Sequence, residues 1–302
     1  MNIKNIAVLR GKNTTIKNGV VTYNPEFREI NSDDDNVSQK KIPLHAEIRG
    51  EVYFSQGIVS CKFKAAKENT GVLFSWDNRD GRTEHAAGLS LQVKSFSIFN
   101  NLTNRIVSNG SLSNFKPNEE ISMRLEIFGS DAKLFINNIL HCEHNINVSL
   151  SPLTIRITSE GKVTLYDIEV KSIRPKLFVV MQFTNEFNNL YNDVIIPIAE
   201  KTGFDVIRAD EFFSSTPILT DIIKSIKESS AIIADITPDN PNVFYEIGYA
   251  HAINKPTILI CDKIRDKLPF DVSSFRTLFY ENSIAGKSKI EKSLKKYLEN
   301  II

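Results

Sequence analysis

From the N-terminus to about Arg174, hydrophobic and polar side chains alternate with a period of two. Val59, Cys61 and Phe63 alternate with Ser60, Lys62 and Lys64; Leu89, Leu91 and Val93 alternate with Ser90, Gln92 and Lys94; Met123, Leu125 and Ile127 alternate with Arg124 and Glu126. Strict alternation marks half-buried strands, with one face on a core and the other toward water. Turn signals separate the runs at Asn78 to Gly81, Asn109-Gly110, Lys116-Pro117-Asn118 and Asn137-Asn138. Many short strands at this spacing predict an all-β jelly-roll or antiparallel sandwich over residues 1–174. The acidic, serine- and asparagine-rich stretch Asn31 to Gln39 reads as a solvated loop within it.

At Lys171 to Lys176, around Pro175, the pattern changes. Leu177 to Met181 is a short apolar run, and Phe187, Leu190, Tyr191, Val194 and Ile198 then follow at helical spacing. Phe204 to Ile207, Ala231 to Ala234, Thr257 to Cys261 and Thr277 to Tyr280 read as further strands. Ile218, Ile222 and Ile226 mark one helix, and Ile290, Leu294, Leu298 and Ile301 a last one. Strands alternating with helices predict a parallel sheet covered on both sides over residues 175–302, in a flavodoxin-like order. Such a sheet presents its site at the C-terminal ends of its strands.

Composition narrows the function classes. The 302 residues carry 37 basic against 36 acidic side chains, dispersed along the chain, which argues against a nucleic-acid partner or a charged membrane surface. Cys61, Cys142 and Cys261 are odd in number and far apart, as expected of a reducing compartment rather than a disulfide framework. The opening MNIKNIAVLRGKN has too short an apolar run for a signal peptide, so a cytoplasmic protein is expected. His141-Cys142-Glu143-His144 looks metal-like, but neighbours on a strand point to opposite faces and no second ligand pair follows, so no metal site is expected. Trp76, with Asp77, Asn78 and Arg79, is either a ligand-lining group on the sandwich or an ordinary turn.

The chemistry is expected at the strand ends of the second domain. These bring Met181-Gln182-Phe183, Arg208-Ala209-Asp210-Glu211, Asp235, Asn240, Asn242 and Pro269-Phe270-Asp271 toward one edge. The run NPNVFYEIGYAHA, Asn240 to Ala252, reads as a helix capped by Asn240, with Pro241 in the first helical position. Glu246 lies early in that helix, near its positive end. Gly248 is expected where the helix approaches the sheet or a ligand, and Ala250 keeps the same face small.

The second domain, from about Lys176 to Tyr280, resembles bacterial TIR-like domains and the nucleoside 2-deoxyribosyltransferases. The residues that carry this are VVMQF (Val179 to Phe183), RAD (Arg208 to Asp210), the strand ending in Asp235, NPNVFYEIGYAHA, NKP (Asn254 to Pro256) and PFD (Pro269 to Asp271). ISMRLEIFGSDAKLFINNILHCE in the first domain resembles the paired strands of concanavalin-like or laminin-G-like sandwiches.

The resemblance implies cleavage of an N-glycosidic bond, with Glu246 as the group attacking C1′ and Asp221 as its helper. Phe183, Arg208, Asp210, Asp235, Asn242, Tyr245 and Asp271 would then contact substrate. All of these but Asn242 also have a plain structural reading, for Glu246 that of an exposed helix glutamate. Asp221 complements a helix dipole, Asp235 caps a loop, Arg208, Asp210 and Asp271 form surface ion pairs, and Phe183 and Tyr245 belong to the core. Asn240 stands where the transferases often carry a second acid.

The resemblance thus favours an NAD+ hydrolase effector of antiphage defence, with NAD+ as substrate and no cofactor. In that reading the sandwich is a sensor or oligomerisation module for an unknown activating ligand, and the protein works as a homo-oligomer. A nucleoside 2-deoxyribosyltransferase and a non-catalytic nucleotide-binding or adaptor module are the alternatives.

Overall fold

The computed structural model describes residues 6–30, 40–77, 83–91, 93–100, 105–109, 116–146, 148, 150–211, 217–265 and 267–301. The chain falls into two compact units. One holds residues up to Ile127 together with Asp131–Ser172; the other holds Phe128–Ser130 and Ile173–Ile302. The solvated loop expected over Asn31 to Gln39 lies outside the described residues.

The first unit is a β-sandwich of two seven-stranded sheets. One sheet runs in the order Ile6–Arg10, Ala46–Phe54, Ser151–Ser159, Thr70–Asp77, Thr83–Ser90, Ser95–Asn100 and Arg105–Asn109. The other runs Ile139–Asn145, Asp131–Ile136, Ile121–Phe128, Gly57–Ala65, Val163–Ser172, Val20–Tyr23 and Thr14–Lys17. Period-two alternation sends one side chain in two to a shared core. Val59, Cys61 and Phe63 meet Val72, Phe74 and Trp76 from the facing sheet, all buried. Burial of each large apolar side chain contributes roughly 1.5–3 kcal/mol.

The Asn137-Asn138 turn joins its two strands with both residues at positive φ, 49° and 67°, the conformation that matches the twist of a two-residue hairpin. One strand ends sooner than its pattern suggests. The run through Leu89 breaks at Ser90, so Leu91 belongs to a hairpin turn that closes through Lys94 at φ 51°. Trp76 is not a ligand-lining group: its ring is fully buried in the core, while Asn78 and Arg79 lie outside the described residues.

The second unit contains a five-stranded parallel sheet, ordered Asp205–Arg208, Lys176–Val180, Ala231–Asp235, Thr257–Asp262 and Thr277–Tyr280. Numbered along the chain this is 2-1-3-4-5, the flavodoxin-like order. Its central strands read as unbroken apolar runs because both faces are covered. Leu177, Val179, Ile233 and Ile260 point to one side, against Phe187, Tyr191, Val194 and the Ile290-Leu294-Leu298 stripe of the Ile284–Glu299 helix. Phe178, Val180, Ile232 and Ala234 point to the other, against Ile226, Val243 and Ile247 of the Ile218–Glu228 and Pro241–Ala252 helices.

Candidate functional site

At the C-terminal edge of the parallel sheet a cleft of about 550 Å³ opens beside the Pro241–Ala252 helix. It is lined by the end of the first strand, Val179 to Phe183, by Glu246, by Ala209 and Asp210, and by Asn240, Asn242, Val243 and Tyr245. Ile218, Leu219 and Ile222, from the first turns of the Ile218–Glu228 helix, complete it. This is where an open parallel sheet is expected to bind, since strand ends and helix starts converge there.

Local sequence explains how the Glu246 helix begins. The Asn240 side chain accepts from the Asn242 N–H at 3.0 Å, satisfying an otherwise orphan donor, and Pro241 occupies the first helical position. Glu246 follows on the face turned to the sheet, 9% exposed. Among the described residues its carboxyl makes no hydrogen bond or ion pair, and burial alone pushes its pKa up to about 7. Its carboxyl therefore keeps a proton to a higher pH than an ordinary glutamate does.

Asp210 enters the same cleft as a carboxylate. Arg208, 5% exposed at the end of its strand, donates to both Asp210 oxygens, from Nε at 2.7 Å and from Nη2 at 2.6 Å. The guanidinium lies 4.1 Å from the Tyr191 ring centroid and 5.2 Å from that of Phe183. The Tyr191 hydroxyl donates to Glu211 at 2.8 Å, and Glu211 also accepts from the Arg208 backbone N–H at 3.3 Å. Tyr191 starts a π turn, Tyr191–Ile195, inside the helical segment that packs on the sheet. Two-pronged pairing of this kind fixes both the position and the orientation of a carboxylate.

The residues singled out in the sequence therefore divide. Glu246, Asp210, Asn242, Phe183 and Tyr245 meet in the cleft. Arg208 stands behind it and holds Asp210, a buried partner rather than a surface ion pair. Asp221, in the first turn of its helix, is not among the cleft-lining residues, and neither is the exposed Asp271 on the short turn Phe270–Val272. Asp235 is 1% exposed and accepts from the Thr237 N–H at 2.8 Å and the Tyr280 hydroxyl at 2.7 Å, which ties together the ends of two strands. Gly248 does not sit at a close approach: a Cβ there would meet nothing within 4 Å.

Ile218 and Leu219 line the cleft although neither is among the site residues expected from the sequence. The signal was present, because two adjacent apolar residues in one helical turn cannot both face the same core. Among the described residues no group of three or more His, Cys, Asp or Glu side chains is arranged to hold a metal, and no helix is long and apolar enough to cross a membrane.

No family model and no curated protein matches the chain. It is similar to several solved structures over about half its length. One is a Bacillus licheniformis β-glucanase, at 12% identity and a TM-score of 0.38, covering 56% of this chain and 96% of that one. Another is a carbohydrate-binding module from Bacillus subtilis, at 11% and 0.34, covering 50% and 93%. A third is a prokaryotic β-1,3-1,4-glucanase derived from a mouse hindgut metagenome, at 14% and 0.34, covering 52% and 81%. At such identities and TM-scores the likeness assigns no substrate to this chain.

These findings correct the family reading. The structures just described are glucanases and a carbohydrate binder, and none of them is a TIR-like domain or a nucleoside 2-deoxyribosyltransferase. The expected NAD+ hydrolase, its transferase and nucleotide-module alternatives, the nucleotide partner and the role in antiphage defence are withdrawn with it.

The physical reason is that the motif residues are largely accounted for by helix and turn geometry. Asn240 and Pro241 start a helix. Asn254 takes the left-handed φ of 55° just past that helix's end. The buried Lys255 ammonium donates to the carbonyls of Lys227 and Ser229, at 2.9 and 2.5 Å. Any doubly wound sheet needs such residues, whatever it binds.

Proposed function

We propose that this chain is a glycosidase acting on the O-glycosidic bond of a small sugar-bearing substrate, with its chemistry in the cleft of the parallel-sheet unit. The observation that carries this reading is Glu246, a buried carboxyl lining an open cleft, with a pKa of about 7 and no hydrogen bond or ion pair among the described residues. Asp210 shares that cleft as a carboxylate gripped by Arg208.

Two carboxyl groups in different environments suit an acid and a base or nucleophile. In the proposed reaction Glu246 gives its proton to the leaving oxygen as the C1–O bond breaks. The Asp210 carboxylate stabilises the positive charge growing on the sugar ring, and takes the proton of the water whose oxygen bonds to C1. The products are the free sugar and an alcohol. Asn240, Asn242 and Gln182 supply carboxamides for sugar hydroxyls, and the Phe183 and Tyr245 rings supply flat apolar faces.

The test is hydrolysis of a panel of nitrophenyl glycosides and short oligosaccharides by the whole chain. The expected result is turnover of at least one substrate, falling about a thousandfold in Glu246→Gln, the scale of a lost general acid. Asp221→Asn, away from the cleft, should keep most of the rate. Wild-type turnover retained in Glu246→Gln, or no turnover of any substrate, would overturn the reading.

A further inference from the structure

The cleft carries large apolar side chains beyond the two aromatic rings proposed to face a sugar. Ile218 is 72% exposed, Leu219 50%, and Phe183 and Tyr245 53% each, yet all four line the one cleft that holds Glu246. Exposed large apolar side chains scattered singly are ordinary; four converging on a concave site are a binding surface. Ile218 and Leu219 sit in the first turn of a helix whose later residue Ile226 is fully buried in the core. Folding therefore does not require them to be apolar. Phe183 has a guanidinium 5.2 Å from its ring centroid and is still half exposed.

Resting on the glycosidase reading, we infer that the substrate is an amphiphilic glycoside, a sugar linked to an apolar alkyl or aryl group, and that the wall of Ile218, Leu219, Phe183 and Tyr245 receives that apolar group. Glu246 lines the same cleft as this wall. Its proton is then available to the oxygen that joins the sugar to the apolar group, and the alcohol released is itself apolar. A long polysaccharide chain could stack on the Phe183 and Tyr245 rings but would leave the exposed aliphatic side chains of Ile218 and Leu219 without apolar partners.

The experiment uses the whole chain with methyl, butyl, hexyl and octyl glucosides, in both anomers and below micelle-forming concentrations. Hydrolysis is measured in the wild type and binding by calorimetry in Glu246→Gln. The inference expects kcat/KM and affinity to rise about fourfold for each methylene buried, as a transfer free energy of about 0.8 kcal/mol per methylene implies. In Leu219→Ser and Ile218→Ser the octyl-to-methyl ratio should fall about tenfold.

Equal treatment of the methyl and octyl compounds, with hydrolysis intact, overturns the amphiphile inference and leaves the glycosidase reading standing. Binding that strengthens with chain length and weakens in Leu219→Ser, without hydrolysis of any compound, upholds the apolar subsite and sinks the glycosidase reading. Neither binding nor hydrolysis overturns both. Melting curves of the two serine variants identify any loss that is due to misfolding.

Discussion

Two carboxyl groups at the same edge of the parallel sheet, Asp235 and Glu246, are alike in burial and opposite in company. Desolvation pushes both up, Asp235 to about 6 and Glu246 to about 7. Asp235 nevertheless receives the Thr237 N–H and the Tyr280 hydroxyl, hydrogen bonds that favour its charged form and oppose the rise. For Glu246 burial acts alone. A buried carboxyl with its hydrogen bonds made braces the fold; one without them strains the fold and keeps its proton for something else. Burial alone does not separate the two roles.

The comparison breaks most sharply on activity. Glu246→Gln is expected to lower glycoside turnover about a thousandfold, and Asp235→Asn to act on turnover only through loss of folded protein, as rates normalised to folded fraction will show.

Stability should move in opposite directions. Asp235→Ala deprives the Thr237 N–H and the buried Tyr280 hydroxyl of this acceptor and is expected to lower unfolding free energy by about 2 kcal/mol in denaturant titrations. Glu246 has a folded pKa of about 7 against an ordinary value of 4.5. The native state therefore holds a proton that the unfolded chain releases between those pH values. The stability linked to that proton is fully present below about pH 4.5 and is lost as pH rises toward 7. Glu246→Gln removes this loss, so at neutral pH the variant should be more stable than the wild type, by on the order of 2–3 kcal/mol. If it melts below the wild type at pH 8, the carboxylate is stabilised by partners and the contrast with Asp235 fails.

Activity should also fall as pH rises through about 7, because the acid must carry its proton. Arg208→Lys keeps the positive charge behind Asp210 but loses the two-pronged grip, and about a tenfold fall in kcat is expected, with little change in KM. The smallest effect is on the Glu246 helix itself. Gly248→Ala adds a methyl group that meets nothing within 4 Å, so it should stabilise the protein by about 0.5–1 kcal/mol and leave turnover intact.

Much of this architecture is legible in the residue pattern. Alternation in Val59 to Phe63 and Met123 to Ile127 marks sandwich strands, and the apolar runs Leu177 to Val180 and Ala231 to Ala234 mark parallel ones, because these periods follow from which faces are buried. The turn at Leu91 was hidden because alternation in the letters continues past the point where the backbone reverses. At the site, Glu246 stands out from its capped helix. Its difference from Asp235 does not, since the Tyr280 hydroxyl that satisfies Asp235 lies 45 residues away in sequence. Arg208 and Asp210 are near neighbours in sequence, yet only folding shows that one is buried to hold the other. The kinship read into NPNVFYEIGYAHA did not hold, because capping and turn residues recur wherever a strand feeds a helix in this kind of sheet.

Whether Glu246 holds its proton because its burial goes uncompensated is read by following its side-chain carboxyl carbon through a pH titration by NMR. Assignment would rest on the difference between the wild type and Glu246→Gln. A midpoint near pH 7 is expected; a midpoint at the ordinary glutamate value of 4.5 would overturn this reading.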